Sequence, residues 1–160
     1  MKPVDGADQD VLDQLLAHLG RQREVYQRLV DEATVLRKEA GKSPEEADVT
    51  AILAAVEARE GSLAELARLD AALAPLRQRW NDVRDRFSAA ERRPLGELVE
   101  ELARLMQSVL ALEDENCRLV EQHTAALGRE LERVRRARRA GDAYKEQDRP
   151  GDPRFYDRKE

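Results

Sequence analysis

Cysteine, histidine, aromatic residues and long apolar runs are all scarce in this chain. Of 160 residues one is Cys, two are His, and the aromatics number six: one Trp, three Tyr and two Phe. A single Cys closes no intramolecular bridge, which excludes a disulfide-stapled scaffold. His18 and His123 lie in different segments and Cys117 stands alone, so the spacing of a zinc site is missing. No Glu-x-x-His pair is present to build a di-iron bundle, since Glu121 and His123 are two apart and point to different faces. Eight Gly form no phosphate-cradling loop. The shortage of β-branched and aromatic residues argues against strands, and so against Rossmann and sandwich folds. The longest apolar run, residues 51–56, is far short of the roughly 20 residues that span a membrane. The opening residues have no apolar stretch of the signal-peptide kind. These absences predict a cytoplasmic protein without a catalytic site, metal or cofactor.

What the chain does hold is charge and Leu. Charged residues make up 38% and apolar ones 41%, the latter mostly Leu, Ala and Val. That pairing is the composition of long helices with narrow apolar seams. It predicts an all-α fold, an elongated antiparallel three-helix bundle or coiled coil with a flexible C-terminal tail. The domain expectation is a bundle over 1–140 and a mobile tail over 141–160. The net charge is −5, unevenly spread: residues 129–160 carry 11 basic and 8 acidic side chains, and the remainder 17 and 25. So mild a basic end on an acidic body does not call for nucleic acid. The arginines at 133, 135, 136, 138 and 139 follow a seam, whereas a leucine-zipper basic region precedes it. Cations are in any case favoured near a helix C-terminus.

The seams predict helices over about 8–40, 44–88 and 95–139. The first carries Leu12, Leu15, Leu19, Tyr26, Leu29, Ala33 and Leu36 in steps of three and four, with Gln22 in the polar slot. Gly41 is placed to stop it. Ser43, Pro44 and Glu46 read as the capped start of the second. Its seam through Val49, Ile52, Val56, Leu63, Leu66, Leu69 and Leu73 slips once at Leu63, a stammer. Pro75 lies inside the pattern and predicts a kink. The third helix runs through Leu95, Leu98, Leu102, Leu105, Val109, Leu112, Asn116, Leu119 and His123. Asn116 in a core slot suits a register-fixing role, and Cys117 beside it reads as a small buried or half-buried residue. A second apolar line, Val99, Met106, Val120, Leu127 and Val134, widens the face of this helix beyond that of its neighbours. Either it is the central member of the bundle, or part of its face is left for a partner. After Gly141, taken as the C-cap, come Tyr144, Phe155 and Tyr156, half of the aromatics, in a polar segment. They read as docking residues or as local packing.

Together these features resemble the FlgN-type flagellar export chaperones. The leading helix DVLDQLLAHLGRQREVYQRLVDEATVLRKEA, the second helix with AILAAVEAREGSLAELARLDAAL and the third with LMQSVLALEDENCRLVEQHTAALGRELERVR follow that family's layout. The ending DAYKEQDRPGDPRFYDRKE is the most specific piece, through Tyr144, Phe155, Tyr156, Asp157 and Arg158. The resemblance implies a cytosolic chaperone for the C-terminal amphipathic segments of hook–filament junction subunits, delivering them to the flagellar type III export gate. Helix-in-groove binding suits such clients. Leu119, Val120, Leu127, Leu131 and Val134 form the expected client site. Tyr144, Phe155 and Tyr156 are the expected contact with the export machinery, carried over from the family. A client-free coiled-coil structural or oligomerisation protein is the competing expectation. Heptad seams serve monomer and homodimer alike, so the oligomeric state stays open.

Overall fold

Asp5 starts the first helix by accepting a hydrogen bond from the Asp8 amide at 2.8 Å, while the Asp8 carboxylate faces the Asp5 amide. This reciprocal cap satisfies two amides that no helical carbonyl reaches. In a computed structural model the described residues are 4–43 and 45–147, without the side chains of 144–147. They form three helices, α1 (Gly6–Ala40), α2 (Val49–Val83) and α3 (Ala89–Gln147), with a 3-10 turn at Arg84–Arg86. There is no strand among them. The all-α, three-helix fold is thus as the composition predicts. The chain divides into two compact units, Met1–Val120 and Glu121–Glu160. That division falls inside α3 rather than at the expected residue 140.

In the first unit α2 runs antiparallel to α1 and α3. His18 Nε2 lies 3.1 Å from the Leu69 carbonyl, and Ser62 Oγ donates to Glu32 at 2.9 Å, so rising numbers on α1 meet falling numbers on α2. Arg23–Glu101 and Arg37–Glu115 ion pairs run α1 and α3 in the same direction. The core gathers Leu12, Leu15 and Leu19 of α1, Leu73 of α2, Phe87, and Leu95 and Leu102 of α3. Trp80 stacks at a tilt on Phe87, with ring centroids 5.2 Å apart.

Several boundaries differ from the sequence expectation, each for a local reason. Helix α2 starts at Val49, five residues after the expected position. Asp48, not Ser43, caps it, accepting from the Ala51 amide at 3.0 Å. Ser43 instead heads a turn in which its carbonyl accepts from the amides of Glu46 and Ala47. Pro44 lies outside the described residues. Buried Glu39 holds this connection, taking the Asp48 amide at 2.9 Å and the Lys42 ammonium at 2.7 Å. Gly41 follows α1 as expected but with φ −78°, so no left-handed residue ends the helix. Helix α2 stops at Val83 rather than 88, because Phe87 is extended and turns its ring into the core. It is continuous through Pro75. Helix α3 begins at Ala89, six residues early. Ser88 and Glu91 form a capping box: the Glu91 carboxylate accepts from the Ser88 amide at 2.7 Å, and Ser88 Oγ accepts from the Glu91 amide at 3.3 Å. Pro94 sits in the second turn, where the carbonyl it leaves unpaired belongs to exposed Ala90. At the other end Gly141 lies inside α3 and caps nothing, so the first residues of the expected tail, 141–147, are helical.

The α2 seam is also redrawn. Its buried and half-buried line passes through Ile52, Ala55, Arg59, Ser62, Leu66, Leu69, Leu73 and Leu76 in unbroken steps of three and four, without a stammer. Val56 and Leu63, expected in the core, are 39% and 40% exposed. The reason is closeness: α1 and α2 run side by side at short range, and the residues that α2 buries, Ala55 and Ser62, are small, Ser62 bonding Glu32 of α1. Small side chains permit that interaxial distance and large ones do not.

Candidate partner-binding surface

Helix α3 presents two lines of side chains roughly a quarter turn apart. The inward line buries Leu95, Leu102 and Asn116 against the other helices. Asn116 Nδ2 donates to the Ala33 carbonyl at 3.1 Å and so locks the register of α3 on α1, as its core slot suggests. Asn116 Oδ1 is buried without a hydrogen-bond partner among the described residues. That is a cost accepted for register rather than stability. Cys117, one position on, is exposed rather than buried.

The outward line is the second apolar line of the sequence. None of it is covered: Val99, Met106, Val120, Leu127 and Val134 are 44–58% exposed. The central helix is α1, not α3. Besides its predicted seam, α1 buries Val11 and Val25 and carries half-buried His18 and Glu32 on the same line, which meets α2 through Leu69 and Ser62. Of the expected client-site residues, Leu119 and Val120 belong to the first unit, the former half-buried and the latter exposed. Leu127, Leu131 and Val134 belong to the second unit and are 54–56% exposed on a helix otherwise rich in Arg and Glu. Tyr144 falls on the last turns of α3 with its side chain outside the described residues, and Phe155 and Tyr156 lie outside them altogether.

Between α2 and α3 in the first unit lies a groove of about 530 Å³, floored by Leu19, Gln22 and Tyr26 of α1. Asp70 and Arg77 line it from α2, and Val99, Ala103 and Met106 from α3. Gln22, almost fully buried, donates to Asp70 at 2.6 Å. Partial burial, and secondarily the charge of Asp70, raises the Tyr26 phenol above its ordinary pKa, so the hydroxyl stays protonated in the groove. The groove was not foreseen from sequence. The signal available was the steps of three and four by which Ala103 and Leu110 interleave with Val99 and Met106.

The electrostatics of the first unit serve its architecture. Arg86 Nη1 grips both carboxylate oxygens of buried Asp8 at 2.8 Å, which raises the guanidinium pKa and ties the turn after α2 to the start of α1. Arg28 holds the Glu65 carboxyl below its usual range, and Arg59 bonds Glu113 at 2.6 Å. Among the described residues no cluster of His, Cys, Asp or Glu is arranged to hold a metal ion. No helix among them is long and apolar enough to cross a membrane. No protein-family model, curated protein or solved structure matches this chain.

Proposed function

We propose that this chain is a cytosolic export chaperone of the FlgN type. It binds the C-terminal amphipathic segments of hook–filament junction subunits and delivers them to the flagellar type III export gate. The observation that carries this reading is the exposure of Leu127, Leu131 and Val134 on α3, each more than half open to solvent. A line of large aliphatic side chains at helical spacing is what an amphipathic client helix needs opposite its own apolar stripe. A client segment of this kind aggregates if left bare, and covering it would delay its assembly. In the first unit Leu119, half-buried, and Val120, exposed, remain residues proposed for client contact, and Tyr144, Phe155 and Tyr156 remain those proposed to contact the export machinery.

The test is binding of C-terminal peptides from junction subunits to the full chain and to the Leu127→Asp, Val134→Asp double variant. The reading expects at least tenfold weaker binding by the variant with an unchanged melting temperature, since both residues are exposed. Equal binding by the two proteins refutes the site, and absence of binding by any junction peptide refutes the function. A second reading, a coiled-coil oligomerisation protein, is favoured by one observation: the outward line of α3 keeps the heptad spacing of a coiled-coil seam. A concentration-independent monomer mass in light scattering excludes it.

A further inference from the structure

We draw no further inference here: the strongest candidate, the groove between α2 and α3 floored by Leu19, Gln22 and Tyr26, is flanked by exposed Arg68, Arg104 and Arg118 as well as by exposed Glu100 and Asp114, and nothing in the structure shows what covers it.

Discussion

Glu39 is the residue on which the connection between α1 and α2 depends. The Lys42 ammonium first, and then the Asp48 amide, hold its carboxyl below the usual carboxylate range. Because the folded pKa lies below the unfolded one, this contribution is fully present above the unfolded value, near pH 4.5, and disappears as pH falls through the folded value. Melting curves of Glu39→Gln between pH 6 and 3 should therefore fall less steeply with acid than those of the parent chain, the difference vanishing at the low end. A parallel pair of curves contradicts this account of Glu39. The redrawn α2 seam is tested by three neighbours. Leu73→Ala, at a site 1% exposed, should cost about 2–5 kcal/mol in urea denaturation. Leu63→Ala should cost about 1 kcal/mol or less. Ser62→Leu, which adds an apolar side chain, should nonetheless destabilise by about 1–3 kcal/mol by overfilling the close α1–α2 contact.

At the scale of elements, the start of α3 rests on Ser88. Ser88→Ala should cost about 0.5–2 kcal/mol and speed amide exchange in residues 89–92 ahead of the rest of the helix. Uniform exchange along α3 would argue against the cap. The existence of three helices was readable because Leu12, Leu15, Leu19 and Leu95, Leu98, Leu102 repeat at helical spacing, and they do build the core. Their ends were less readable. Ser43 and Ser88 both precede a Glu by three residues, yet only Ser88 begins a helix. The difference lies outside the serine's own motif: Glu39, four residues before Ser43, captures the Asp48 amide and so sets where α2 begins. The α2 seam misled for a related reason. Hydrophobicity ranks Val56 and Leu63 above Ala55 and Ser62, but distance from α1 decides which are buried. A pattern within one helix does not contain that distance. The exposure of the second line on α3 was undecidable in the same way, because α1 supplies the second buried line in its place.

At the scale of the molecule, ion pairs and one buried amide set direction and register, while large apolar side chains are left outside. Arg23–Glu101, Arg37–Glu115 and Arg59–Glu113 bridge helices in partly exposed positions, so each contributes modestly and all are screened by salt. A core that left Leu53, Leu110, Leu127 and Leu131 more than half open is a poor economy for a self-sufficient bundle. It is consistent with surfaces kept for other helices, and that is the central claim. Calorimetric titration tests it most directly: C-terminal peptides of the junction proteins are titrated into the chain and into its Leu127→Asp, Val134→Asp variant, with circular dichroism melts of both alongside. The account predicts saturable binding by the parent chain, at least a tenfold loss in the variant and coincident melting curves. Undiminished binding by the equally stable variant would contradict it.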